Sequence, residues 1–311
     1  MGLPDDIVLA NGTLNERLII KREILYQGMN GKFVERFYLS PTESYIFKPL
    51  TNDAQFGKET WINEHVLTLF PAIYPKIISY SVHDHPELSW MVLEDLGPLS
   101  HEFTEENVLG VIKWMAWWHS LPLESFPDVP MTGLKPKLAQ LISDIHRDKE
   151  SVFALLPGLG LDEKWIEHVY ELLDSFIFSK RLVLSHGDLH VGNYAVIDGR
   201  MVILDWEHAH LNTPFWDLYH LIDLSHPIFP KRIETGFRER ALRFYLEQVE
   251  LKLDEEKFIR EYYLFSCVFS IWMLLLIEKD LTVDDGKWSK EQLERQQSET
   301  VWSLRECAEP L

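Results

Sequence analysis

Cysteine is scarce in this chain. Cys267 and Cys307 are the two among 311 residues, and neither belongs to a C-x-x-C pair. A disulfide framework and a cysteine zinc site are therefore disfavoured, and a reducing, cytoplasmic setting is expected. Long apolar runs are missing too. The longest uncharged stretch, Tyr262 to Ile277, has 16 residues, short of the roughly 20 that cross a bilayer. It reads as a buried helix of a large core, and no membrane partner is expected. Met1 to Thr13 carries Asp5 and Asp6 and no basic region ahead of an apolar run, so no secretory leader is expected. Positive charge is in deficit, 30 Lys and Arg against 49 Asp and Glu, a net −19. Such a surface repels a phosphate backbone and argues against nucleic acid as a partner. It would draw cationic small molecules to an acidic cleft, although solubility is the plainer account of it. Internal repeats and low-complexity segments are also missing, which removes the solenoid readings.

What is present is an ordinary globular composition, 46% hydrophobic and 25% charged, enough for a sizeable core. Phe33 to Leu39 and Tyr45 to Leu50 are β-rich runs joined through Ser40-Pro41-Thr42-Glu43-Ser44. Pro49, with no N–H to donate, should end pairing of the second. A helix is expected from about Lys58 to Phe70, with Ile62, Val66 and Leu69 on one face. Strands at Ile77 to Val82 and Leu88 to Leu93 follow, and the last runs into Gly97-Pro98, where a domain boundary is placed. Beyond it the pattern turns helical: Thr104 suits an N-cap, and further helices start after Lys137, Glu163, Ile233, Lys257 and Ser289. The expected organisation is a β-rich lobe over residues 1–97 and a larger, mainly helical lobe over 98–311.

The helical half contains one β insertion, between Leu182 and Leu204. There Asp198-Gly199 separates two apolar runs, a strong signal for a two-residue type I′ hairpin. Counting outward from the turn pairs Asn193 with Leu204, so Asn193 and Asp205 leave the open end side by side. Paired strands lie about 5 Å apart. If the ends bend out of the regular ladder, an amide oxygen and a carboxylate could share one Mg²⁺. Asp188, five residues earlier on a glycine-containing loop, could accept or orient a hydroxyl proton during phosphoryl transfer. Two other readings exist. Asp188 and Asn193 could simply hold turns, or His186, Asp188 and His190 could be ligands of a metal hydrolase, although Gly187 and Gly192 favour a loop over the strand that would align them.

His186-Gly187-Asp188-Leu189-His190-Val191-Gly192-Asn193, followed by Ile203-Leu204-Asp205-Trp206-Glu207, resembles the aminoglycoside phosphotransferase and choline kinase family. The loop is similar to the H-R-D-x-x-x-x-N loop of protein kinases, with D-W-E in place of D-F-G. The resemblance covers roughly residues 20 to 280, firmly from 184 to 218. It implies an α+β, two-lobed protein-kinase-like fold with a small antiparallel N-terminal lobe. It also implies transfer of the γ-phosphate of ATP, or of GTP, to an alcohol with Mg²⁺. In these terms Asp188 is the catalytic base and Asn193 and Asp205 hold the metal. Lys48 sits like the family's phosphate-binding lysine, although edge strands also use lysine to block aggregation. Glu64 resembles its partner glutamate, with Glu59 as the alternative. Gly28 and Gly31 lie in a loop, Gln27 to Lys32, that either covers the phosphates with free N–H groups or is an ordinary turn. Glu94 and Leu96 fall in the segment that would bond adenine.

For the acceptor, Glu207, Asp217 and Asp223 add negative charge near the motif and favour an amine-bearing molecule. Asp217, within Pro214-Phe215-Trp216-Asp217-Leu218, also resembles a position that is usually structural in the family. Trp206 and Trp216 are candidate aromatic walls. Trp114, Trp117 and Trp118 have the helical spacing of core residues. Neither acceptor identity nor oligomeric state is legible. The rival from another class is a non-catalytic kinase-like scaffold, against which stands the filling of every candidate position.

Overall fold

The computed structural model describes residues 2–28, 30–250, 253–283 and 286–311. The chain divides into two compact units, residues 1–100 with 195–208, and residues 101–194 with 209–311.

The first unit is built on a five-stranded antiparallel sheet. Its strands are β1 (Lys21–Gln27), β2 (Phe33–Ser40), β3 (Glu43–Pro49), β4 (Ile77–Ser81) and β5 (Trp90–Glu94), in the order β1-β2-β3-β5-β4. Helix α1 (Lys58–His65) lies between β3 and β4 in sequence. Alternation places Phe37, Phe47 and Val92 in the core of this unit with Ile7 and Leu14, all at most 4% exposed. Burying each such side chain is worth roughly 1.5–3 kcal/mol. Lys48, one residue past Phe47, therefore takes the opposite face. It pairs with Met91 of β5, so β3 is a central strand and an aggregation-blocking edge lysine is not what Lys48 is. The helix expected to reach Phe70 ends at His65, and a single 3-10 turn, Leu67–Leu69, follows. Val66 and Leu67 are buried there, and tertiary packing overrides the helical period.

The remainder of this unit comes from far along the chain. Strands β6 (Val183–Ser185) and β9 (His210–Asn212) pair within the second unit. Between them β7 (Tyr194–Ile197) and β8 (Arg200–Ile203) form the expected hairpin. Its turn residues have φ of 48° at Asp198 and 74° at Gly199, the paired positive values that a type I′ turn requires. The Ile203 N–H donates to the Ile73 carbonyl at 2.6 Å, fastening the hairpin to the first unit.

The second unit is helical: α2 (Glu105–His119), α3 (Leu138–Arg147), α4 (Lys149–Leu159), α5 (Glu163–Leu173), α6 (Pro214–Ile222), α7 (Phe237–Gln248), α8 (Glu255–Leu281) and α9 (Lys290–Ala308). Thr104 caps α2 by accepting from the Asn107 N–H, and Ser289 with Gln292 forms a capping box on α9. All nine residues of α6 are buried, and Trp118 and Trp216 are fully enclosed. No helix among the described residues is long and apolar enough to cross a membrane.

Candidate active site

In the first unit four charged side chains converge. Lys48 Nζ lies 2.5 Å from Glu59, 2.8 Å from Asp205 and 3.9 Å from Glu207. Burial pulls the lysine down, but Asp205, Glu59 and Glu207 outweigh it and hold its pKa well above the ordinary value. Burial pushes the Glu59 carboxyl up, with Asp205 adding to it against the pull of Lys48. Asp205 has φ of 60°, a left-handed backbone that side chains other than glycine rarely adopt. Such strain at a charged, partly exposed residue is a feature of working sites.

The partner of Lys48 is thus Glu59, and the expected pairing with Glu64 is not made. Five residues on a helix turn a side chain by about 140°, and Glu64 accepts instead from the Tyr80 hydroxyl. Glu207, expected toward the acceptor, belongs to the Lys48 cluster. Trp206, expected as an acceptor wall, is 2% exposed and stands edge-on against Phe70. The glycine turn also departs from expectation. Gly28 N–H donates to the Lys32 carbonyl, Gly31 N–H to that of Gly28, Asn30 N–H to that of Thr51 and Lys32 N–H to the Asn30 side chain. The described amides are engaged inside the protein rather than free, and Met29 lies outside the described residues. The Glu94 N–H is likewise used, donating to the Lys76 carbonyl. Leu96 follows it outside β5 and is half-buried. A residue that sequence reasoning passed over fixes this segment: Asp95 accepts from Arg36, Ser44 and the Gly97 N–H.

Among the described residues, Glu59, Asp205 and Glu207 are the group of three whose candidate metal-ligand atoms all lie within 4.8 Å of one another. Three carboxylates offer oxygen alone, which fits a hard cation such as Mg²⁺. His186, Asp188 and His190 form no such group, and the hydrolase reading loses its geometry.

In the second unit the loop after β6 is held from below. The Asp217 carboxylate accepts from Ser185 Oγ at 2.7 Å, His186 N–H at 2.8 Å, Gly187 N–H at 3.1 Å and His119 Nε2 at 3.2 Å. Burial alone would raise its pKa, but these donors overcome that and hold it below the usual carboxylate range. Asp217 is 0% exposed, so it is a brace and not a contact for an acceptor. Asp223 is enclosed likewise, bonded by Arg238 and Tyr262. Trp216 Nε1 donates to the Gly187 carbonyl, which makes Trp216 part of the same brace.

The braced loop presents Asp188. The Asn193 side-chain N–H donates to the Asp188 carbonyl at 2.7 Å, leaving the amide oxygen as the end able to bind a cation. Asn193 belongs to the second unit and Asp205 to the first. Lys135 Nζ reaches the Asp188 carboxylate at 3.1 Å and His220 Nε2 at 2.9 Å. His220 Nδ1 donates to the Trp216 carbonyl, so its Nε2 is the neutral, accepting nitrogen. Burial, then Lys135, pushes the His220 pKa well down. Lys135 lies 53 residues before Asp188 in the chain, within Leu134-Lys135-Pro136-Lys137, with no motif to flag it.

His119 is also pushed down, chiefly by burial, and burial takes His226 to about 3. These imidazoles stay neutral in the folded chain while the unfolded chain binds protons below about pH 6.5. Acid therefore favours unfolding. The melting temperature should fall steadily as pH drops from 6.5 toward 4, and removing one of the three by His226→Phe should flatten that slope.

The sequence profile of the phosphotransferase enzyme family matches residues 85–258, more than half of the chain. The chain belongs to that family. It is a phosphotransferase, and its fold is the α+β, protein-kinase-like one expected. Among solved structures, a spectinomycin phosphotransferase determined with ADP and spectinomycin is similar at 14% identity. It matches over 94% of each chain with a TM-score of 0.59. A choline kinase from Cryptosporidium parvum is similar at 16% identity, over 97% of this chain and 92% of its own, TM-score 0.57. An aminoglycoside phosphotransferase determined with GDP and kanamycin is similar at 17% identity, over 90% and 93%, TM-score 0.58. No curated protein matches this phosphotransferase by sequence.

Proposed function

We infer that this phosphotransferase moves the γ-phosphate of ATP to a hydroxyl of a small molecule. The observation that carries the reading is the meeting of Lys48 with Asp205, 157 residues apart in sequence, at 2.8 Å. A lysine on a central strand and an aspartate after a hairpin are the parts that grip a nucleotide's phosphates in kinase-like enzymes. Nucleotides in the related structures, ADP in one and GDP in another, agree with it.

In this reading Lys48, braced by Glu59, orients the phosphates. Asp205, with Glu207 beside it, would hold Mg²⁺. The ion would supply positive charge against the phosphate oxygens. Asp188 receives the acceptor's hydroxyl proton as the new P–O bond forms and ADP leaves with the electron pair of the broken bond. The residues given nucleotide roles lie in residues 1–100 with 195–208, where a single boundary after residue 97 was expected, and Asp188 lies in residues 101–194 with 209–311.

Titration calorimetry with ATP in the presence and absence of Mg²⁺, followed by γ-labelled ATP against a panel of alcohols, tests it. Metal-dependent binding and label transfer are expected. Failure to bind nucleotide would favour a scaffold instead. Glu59→Gln should weaken nucleotide binding by about tenfold, the worth of a partly buried charged hydrogen bond, while Glu64→Gln should change it less than about twofold.

A further inference from the structure

The surroundings of Asp188 speak to the acceptor. The chain is strongly acidic, −19 overall, yet a side chain bonded to Asp188 is a lysine. Two of the acidic residues expected near the motif do not face it: Asp217 and Asp223 are sealed at 0% and 1% exposure. Three histidines accompany Asp188. His190 Nε2 is 3.6 Å and His220 Nε2 3.9 Å from its carboxylate. The His190 and His226 rings stack at 4.6 Å. A second lysine, Lys287, acts with Lys135 on His226.

Lys135 is placed rather than dangling. Its loop is tied to β9 by the Leu211 N–H, which donates to the Pro130 carbonyl at 2.9 Å. Gly133 passes so close to His210 that an added Cβ would stand 2.3 Å from the ring. The lysine side chain is 16% exposed and that of Asp188 is 18% exposed, so neither is sealed as Asp217 is.

We propose that the acceptor is an anionic alcohol, a hydroxyl compound with a carboxylate or phosphate that Lys135 binds while Asp188 takes the hydroxyl. This rests on the phosphotransferase reading above. An amine carried next to the reacting hydroxyl would come near the Lys135 ammonium, which lies 3.1 Å from Asp188, and like charges at short range repel. An acceptor anion meets a positioned donor and leaves Asp188 for the hydroxyl. The hydroxyl oxygen forms the bond to phosphorus, its proton passes to Asp188, and the acceptor's anion does not react.

The test is γ-labelled transfer by the full chain to matched alcohols that differ in charge: glycerate, glycerol phosphate, gluconate, glycerol, sorbitol, 3-amino-1,2-propanediol and glucamine. Acids should be accepted at least about tenfold better in kcat/KM than their neutral and amine counterparts. Lys135→Met should remove that preference through KM, and Lys135→Glu should turn it toward the amines. Nucleotide affinity should be unchanged in both variants, which also reports that they are folded. Preference for amines in the wild type, an equal loss for all acceptors in Lys135→Met, or transfer to none of the acids with nucleotide binding intact would each overturn the proposal. Loss of nucleotide binding in the wild type would instead remove the phosphotransferase reading beneath it.

Discussion

Asp188→Asn is expected to slow phosphoryl transfer by about 10²–10⁴-fold, the usual worth of a positioned general base, with nucleotide affinity kept within about twofold. Asparagine matches aspartate in shape and cannot take a proton. It also gives up the charge that holds Lys135 at 3.1 Å. Nucleotide affinity should survive because Lys48, Glu59 and Asp205 form their cluster without Asp188. Label transfer to the best acceptor of the alcohol panel measures the first quantity and calorimetry the second. Wild-type turnover in Asp188→Asn would dismiss the base. A parallel collapse of nucleotide binding would make Asp188 a structural residue, as turn-holding aspartates often are.

Asp217→Asn should act on the fold instead. Four donors converge on a carboxylate that is 0% exposed. The amide brings two hydrogens of its own into a site that supplies only hydrogens. A loss of about 3–5 kcal/mol is expected, the scale seen when a buried ionic network loses its charge. Urea unfolding measures it, and Ser185→Ala, deleting one donor, should cost only about 1 kcal/mol. The pH dependence has a definite sign. A carboxyl held below its unfolded value stabilises the chain fully above about pH 4, and that contribution is lost as pH falls through the folded value. The Asp217→Asn deficit should therefore shrink in strong acid. A loss below about 1 kcal/mol at neutral pH would show that the loop is held by other means.

Local signals carried much of this into the sequence. Asp198-Gly199 demanded positive φ at two successive residues, and both have it. Thr104 and Ser289 announced helix starts because their hydroxyls satisfy N–H groups only a few residues on. What could not be read was long-range. Choosing Glu59 over Glu64 requires knowing which side of α1 turns to β3, and a single mixed helix of eight residues has too weak a pattern to say. Lys135 meets Asp188 only through a loop tethered to β9. The negative charge of Asp217 and Asp223 was visible in sequence, whereas their enclosure by donors was not. The expectation of a cationic acceptor drew on that charge, and the enclosure of Asp217 and Asp223 takes away two of the residues behind it.

The carboxylates of the Lys48 cluster arrive from two separate stretches of the chain, Glu59 within the first hundred residues and Asp205 and Glu207 on the returning segment 195–208. A gene cut after Ser100 would deliver a lysine that keeps Glu59 and lacks Asp205 and Glu207. A chimera that took its opening hundred residues from another member of the family would join two halves of an ion network that had never been selected together. Any attempt to graft nucleotide preference from one relative to another has to carry residues 195–208 with residues 1–100 as a single cassette.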